Sequence, residues 1–374
     1  METQAEDRPE KNPAPEAMQA PRDLERLDAL VRRRFGQAPG QILRIEAGLG
    51  DRRFYRIELS QRDPSSLIAR VEPTPTAAPK VASPSAWLPE PPLEPIRRFL
   101  EQSGLPVPRS YAHDRELGID LLEDLGSRTL ASVEDDRRRE RYFEACRLIP
   151  RLQRLEASPE TLPAFGRIFD RELIRTKAWK FVHWCWPGLM GRDATSQERE
   201  LIEAGFAAIG ELLAGAPRRL AHRDFKAENL LLCSRNSDPE SLVMIDVQGA
   251  FMAPPEYDLV CLLRDPQVDV AEDLVRDALE STLSELPDAI APDEAQLRFD
   301  AISFVLQAKI LSHLIEAGRS RGDRRRWHEI PRGLRLLEDS MGRIEHAFAP
   351  IRALSSVILT LTRSVGVSDI DDSR

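Results

Sequence analysis

Three oxygen-bearing side chains stand at short, fixed intervals in the second half of the chain. Asp224 lies in His222-Arg223-Asp224-Phe225-Lys226, Asn229 follows five residues on, and Asp246 follows seventeen after that, in Met244-Ile245-Asp246-Val247-Gln248. The surrounding residues read as a loop and two apolar strands. Transfer of a phosphoryl group from ATP to a hydroxyl needs this set: one carboxylate to accept the proton, and one amide plus one carboxylate to hold Mg²⁺. Asp224 is the expected general base. Asn229 and Asp246 are the expected metal ligands, because Mg²⁺ takes hard oxygen ligands and few of them from protein. Lys226, two residues from the base, is expected to neutralise the γ-phosphate, and His222 and Arg223 to hold the loop. A solvated turn would account for an isolated Asp-x-x-x-x-Asn; the joint pattern with the apolar strand and Ile245-Asp246 is far more specific.

These groups need a scaffold. Leu24, Leu27, Leu30 and Val31 predict a helix over Asp23 to Phe35, followed by strands at 41–47, 54–59 and 66–71. The turn Gly48-Leu49-Gly50-Asp51 joins the first two. Gly48, Gly50 and Asp51 are candidates to fold over nucleotide phosphates, since glycine lets backbone N–H groups approach closely. Arg70, in the third strand, is a candidate to grip phosphates, with Glu94 or Glu101 as its partner, although an exposed strand arginine reads nearly as well. A proline-dense stretch from Glu72 to Pro95 leads into a helix from Leu93 to about Ser103. A strand over Gly118 to Leu122 ends in Glu123-Asp124-Leu125-Gly126, where Glu123 and Leu125 would offer backbone groups to adenine. Beyond Val133 the pattern is mostly helical, with a long helix over Leu297 to Ala317. The expected organisation is α+β: a disordered tail (1–22), a small β-rich nucleotide-binding lobe (23–125), a larger helical lobe with the catalytic loop and acceptor site (126–364), and a frayed tail (365–374).

The bulk numbers narrow the setting. A charge of −9 over 374 residues argues against a broad nucleic-acid footprint, which needs a basic face. No apolar run approaches the roughly 20 residues that span a bilayer. Cys146, Cys185, Cys233 and Cys261 are far apart, so buried free thiols are expected rather than a zinc site or disulfides. A cytoplasmic enzyme is expected, acting as a monomer on a small-molecule acceptor, with no nucleic-acid or membrane partner.

The catalytic segment resembles that of the protein kinase-like superfamily. A serine/threonine protein kinase would also show His-Arg-Asp-x-Lys-x-Glu-Asn, but Asp246 is followed by Val-Gln rather than Phe-Gly. Ala253-Pro254-Pro255-Glu256 also begins only seven residues after Asp246, too soon for a polypeptide-docking segment. The chain looks like the aminoglycoside phosphotransferase family. Within it, the chain resembles bacterial anomeric sugar kinases acting on N-acetylmuramate and N-acetylglucosamine. The resemblance rests on Gly50-Asp51-Arg52-Arg53-Phe54-Tyr55-Arg56, Leu121 to Gly126, Phe169-Asp170-Arg171-Glu172-Leu173, the catalytic loop and Tyr257 to Asp265, supported by Gln307 and Ile330-Pro331-Arg332. It implies a protein kinase-like two-lobed fold, ATP and Mg²⁺, and phosphorylation of an amino sugar at C1. It also implies that Asp258 braces the catalytic loop and that Arg264 and Asp265 edge the acceptor pocket. Another hydroxylated metabolite, an aminoglycoside, or a nucleotide-binding pseudokinase remain the alternatives.

Overall fold

Residues 1–77 with 108–124 form one unit, and residues 78–107 with 125–374 form a second, so the chain divides between Asp124 and Leu125. The computed structural model describes residues 15–46, 52–60, 63–73, 90–235, 239–288 and 290–364. Gly48, Gly50, Asp51 and the expected tail at 365–374 lie outside the described residues.

In the first unit, helix α1 (Pro15–Phe35) precedes strands β1 (Ile42–Ile45), β2 (Arg53–Glu58) and β3 (Ser66–Val71). The chain then passes through α2 (Leu93–Gln102), which belongs to the second unit, and returns with β4 (Ser110–Asp114) and β5 (Ile119–Glu123). The five strands form one sheet in the order β1-β2-β3-β5-β4, with every neighbouring pair antiparallel. Alternation puts Leu67, Ala69 and Val71 on one face with Tyr55, Ile57 and Leu121, and Leu27, Leu30 and Val31 of α1 cover them. Each of those helix residues contributes roughly 1.5–3 kcal/mol by burial. Asp23 anchors the helix: its carboxylate accepts from Arg53 Nη2 at 3.2 Å and from Tyr55 Oη at 2.9 Å.

Three expectations change here. The helix begins at Pro15, not Asp23, so residues 15–22 of the anticipated tail are helical and residues 1–14 lie outside the described residues; proline suits a first helical turn, whose N–H groups lack intrahelical partners anyway. Strand β4 was not foreseen, because Ser110-Tyr111-Ala112-His113-Asp114 is a half-exposed, bulged edge without an apolar run. Helix α2 groups with the second unit, whereas the sequence placed all of 23–125 together; its packing partner is the turn after Asp246, Val247–Gly249.

The second unit continues with α3 (Asp135–Cys146), α4 (Leu148–Gln153) and α5 (Arg171–Lys180). One π-helical turn (Phe181–Cys185) joins α5 to α6 (Trp186–Met190), and α7 (Ser196–Ala214) follows. Two short antiparallel pairs then frame the chemistry: β6 (Arg219–Ala221) with the later β9 (Phe251–Ala253), and β7 (Leu230–Cys233) with β8 (Ser241–Met244). Helices α8 (Tyr257–Leu263), α9 (Glu272–Leu283), α10 (Pro292–Arg321), α11 (Ile330–Ile344) and α12 (Ala349–Ser364) complete it. Helix α10 is the central post, burying Ile302, Val305, Leu306, Leu311, Leu314 and Ile315. It outruns the expected 297–317 because Pro292 opens it and Gly322, at φ +70°, closes it. Among the described residues, no helix is long and apolar enough to cross a membrane.

Candidate active site

The loop between β6 and β7 carries Asp224, and its shape is set by buried partners rather than by regular structure. Arg223 sits at φ +82°, a region that costs a branched or long side chain of order 1–3 kcal/mol unless its surroundings fix it. They do. The buried Asp258 carboxylate, on α8, accepts the backbone N–H of His222 at 2.7 Å and that of Arg223 at 3.0 Å. The Arg223 carbonyl accepts from Cys261 Sγ at 3.3 Å, one turn further along α8. Burial pushes Asp258 up to about 7, with the two N–H donors opposing it. Cys261 and the other three cysteines are free thiols.

The β7–β8 hairpin joins the two expected metal ligands. Leu230 pairs with Met244, and the Ile245 N–H donates to the Asn229 carbonyl at 3.0 Å, so Asn229 and Asp246 leave the hairpin side by side. His222 Nε2 lies 3.0 Å from the Ile245 carbonyl and ties the loop to the same place. Asn229 Nδ2 donates to the Asp224 carbonyl at 2.8 Å, which turns its amide oxygen away from that bond. Asp246 takes a left-handed backbone, φ +63°, that Asp tolerates better than most residues, and its Oδ1 accepts from Gln248 at 2.6 Å. One amide oxygen and the second carboxylate oxygen remain: a hard, sparse donor set that suits Mg²⁺ completed by phosphate oxygens and water. Among the described residues no three His, Cys, Asp or Glu side chains converge as a self-sufficient metal cluster.

Asp224 keeps 31% of its side chain accessible. Its Oδ1 lies 3.2 Å from Lys309 Nζ, on α10, and its Oδ2 lies 3.7 Å from Arg223 Nε. Burial alone would raise its pKa; Lys309 and Arg223 overcome this and hold the carboxyl well below the usual range. Arg223 is itself paired with Glu90 at 2.9 Å, and Glu90 also receives Gln248 at 3.4 Å. Gly249 is needed beside them, because a Cβ there would stand 3.1 Å from Arg223 Nη1.

The structure thus brings Asp224, Asn229 and Asp246 together. Lys226 pairs with Glu228 at 3.0 Å, and the cation on Asp224 is Lys309. Arg70 is paired with Asp120 on the neighbouring strand at 2.9 Å and with Glu72 at 2.6 Å, and Glu94 and Glu101 both pair with Arg97. Glu123 holds the backbone N–H of Arg109 at 3.0 Å. Leu125 is buried against Leu231 and Val243. Arg264 is forked onto Glu272, and Asp265 accepts the Gln267 N–H at 3.0 Å. Lys309, Glu90 and the buried Lys177 were missed. Lys309 did leave a signal, as one of few charged positions in the apolar run 301–318.

The chemistry this arrangement can do is proton acceptance beside a divalent-cation seat. The sequence profile described as "phosphotransferase enzyme family" matches residues 41–298. The chain belongs to that family. Relatives of this phosphotransferase include the N-acetylmuramate/N-acetylglucosamine kinases of Neisseria meningitidis, 25% identical over 260 residues, and Pseudomonas aeruginosa, 28% identical over 269 residues. Each alignment covers 68% of this chain and 75% of the relative. A streptomycin 6-kinase of Streptomyces griseus is 33% identical over 140 residues, 36% of this chain and 41% of the relative. Among solved structures, an ADP-bound aminoglycoside phosphotransferase superposes with a TM-score of 0.54 at 15% identity, over 86% of this chain and 99% of that one. A choline kinase from Streptococcus pneumoniae gives 0.53 at 14% identity, over 86% and 98%. The fold is the two-lobed protein kinase-like one, with a small antiparallel sheet and a helical C-terminal lobe.

Proposed function

We propose that this phosphotransferase moves the γ-phosphoryl group of ATP, with Mg²⁺, to the C1 hydroxyl of N-acetylmuramate or N-acetylglucosamine. The observation that carries the reading is the half-buried Asp224 carboxylate, fixed on a loop braced by Asp258 and adjoining the Asn229–Asp246 pair. Asp224 takes the hydroxyl proton as the sugar oxygen bonds to phosphorus and the bond to ADP breaks. Its ionisation throughout the neutral range keeps it ready to orient that hydroxyl. Asn229 and Asp246 would hold the metal, which would offset charge on the phosphates. The two relatives whose names carry these sugars support the acceptor class.

A small acceptor is favoured further by the route from Asp246 to α8. The turn Val247–Gly249 and strand β9 occupy that short span, where a polypeptide-docking segment would otherwise lie. Lys309 against Asp224 disfavours a cationic aminoglycoside or choline at this place. The test is Mg²⁺-dependent ATP consumption against amino sugars, aminoglycosides and choline, with phosphorus NMR on the product. A C1 phosphate of either N-acetyl sugar is the expected result; a phosphorylated aminoglycoside, or no turnover of either sugar, would overturn the reading.

A further inference from the structure

Basic side chains gather on one side of Asp224 to a degree that base catalysis does not require. Lys309 and His313 are four residues apart on α10, hence on one face and about 6 Å apart along the axis. Lys177 and Lys180 are three apart on the packed helix α5, again on one face. Lys180 Nζ lies 3.5 Å from His313 Nε2 and 3.5 Å from Glu316, so it joins the two helices beside the Lys309–Asp224 pair. Lys177 is 3% exposed, behind them. Burial, then the neighbouring Lys309, Arg223 and Lys180, drive the Lys177 ammonium well below its ordinary pKa, and burial with Lys180, Lys309 and Lys177 does the same to His313. The shifts favour neutral Lys177 and His313, so Lys309 and Lys180 are the charged members, and both keep a reachable edge, at 12% and 17%, that an anion can approach.

We infer that Lys180, with His313 and Lys309, forms a carboxylate-binding subsite that makes an acidic amino sugar the preferred acceptor over its neutral counterpart. The inference rests on the amino-sugar reading above. N-acetylmuramate carries its carboxylate on the C3 substituent, two ring carbons from C1. With the C1 hydroxyl on Asp224, that group would extend one helical turn along α10, toward Lys180. Glu316 holds the lysine until the ligand's carboxylate arrives. N-acetylglucosamine lacks the group and gains nothing from these cations.

The experiment compares kcat/KM for the two sugars in the wild type, Lys180→Met and Lys180→Arg, with calorimetric titration of each sugar alongside. Methionine keeps the aliphatic stem, so packing is retained. The loss expected for N-acetylmuramate in Lys180→Met is at least about tenfold, the scale of one charge-assisted hydrogen bond, with N-acetylglucosamine nearly unchanged and Lys180→Arg recovering most of the loss. Equal losses for both sugars, or none for either, would overturn the subsite. If the wild type turns over neither sugar, the amino-sugar reading fails, and the titrations still decide the subsite. N-acetylmuramate binding that weakens tenfold or so in Lys180→Met sustains it; unchanged or undetectable binding to the wild type removes it.

Discussion

Arg70 and Arg223 carry the same charge and are handled in opposite ways. Arg70 lies on regular strand β3, directly across from Asp120 on β5, and the sheet register alone delivers the ion pair. Its side chain is 3% exposed. Arg223 lies on a loop in a disfavoured conformation, fixed by backbone bonds to Asp258 and Cys261, and its guanidinium reaches Glu90 and the edge of Asp224. Regular structure consumes the charge of Arg70 internally; the strained loop keeps charge beside a reachable carboxylate. The disfavoured backbone lies beside the proposed base, whereas the buried ion pair lies within a regular sheet.

Substitutions can break or sharpen that contrast. Asp258→Asn is expected to have the largest effect, because an amide oxygen replaces only one of the two acceptors and its NH₂ opposes the other N–H. Turnover should fall by roughly a hundredfold or more, with an unfolding free-energy loss of about 1–3 kcal/mol in denaturant titration. Normal turnover in a destabilised variant would break the link between the braced loop and the chemistry.

Lys309→Met should act next most strongly, and through pH. With Lys309 present, Asp224 has a depressed pKa and stays ionised until pH falls through that low value. Without it the carboxyl rises, so the acid limb of kcat/KM should move to higher pH while activity near pH 8 stays within about tenfold. A profile from pH 4 to 9 with an unmoved acid limb would remove Lys309 from the site's electrostatics.

Arg70→Met should affect turnover least. Stability should fall by about 3 kcal/mol, the low end for breaking a buried pair, since His113 Nδ1 also approaches Asp120 at 2.6 Å. The KM for ATP should stay within about threefold, under a kcal/mol of binding. A large rise in that KM with unchanged stability would return Arg70 to the role the sequence first suggested.

What the sequence made legible was local. The strand at 66–71 and the spacing of Asp224, Asn229 and Asp246 depend on neighbours within about twenty residues, and periodicity and loop chemistry report those neighbours directly. Strand β4 hid because a half-exposed edge has no apolar pattern to read. Lys309 hid because its contact with Asp224 spans 85 residues and is made by helix packing, which no spacing rule encodes. Lys226, expected on the γ-phosphate, pairs with Glu228 two residues on.

The most direct test is Asp224→Asn, assayed for kcat with N-acetylmuramate and, separately, for Mg-ATP affinity by calorimetry. Loss of the base should lower kcat by about 10²–10⁴ while the nucleotide dissociation constant stays within about threefold. A variant whose kcat remained within about tenfold of wild type would contradict the assignment of Asp224 as the proton acceptor.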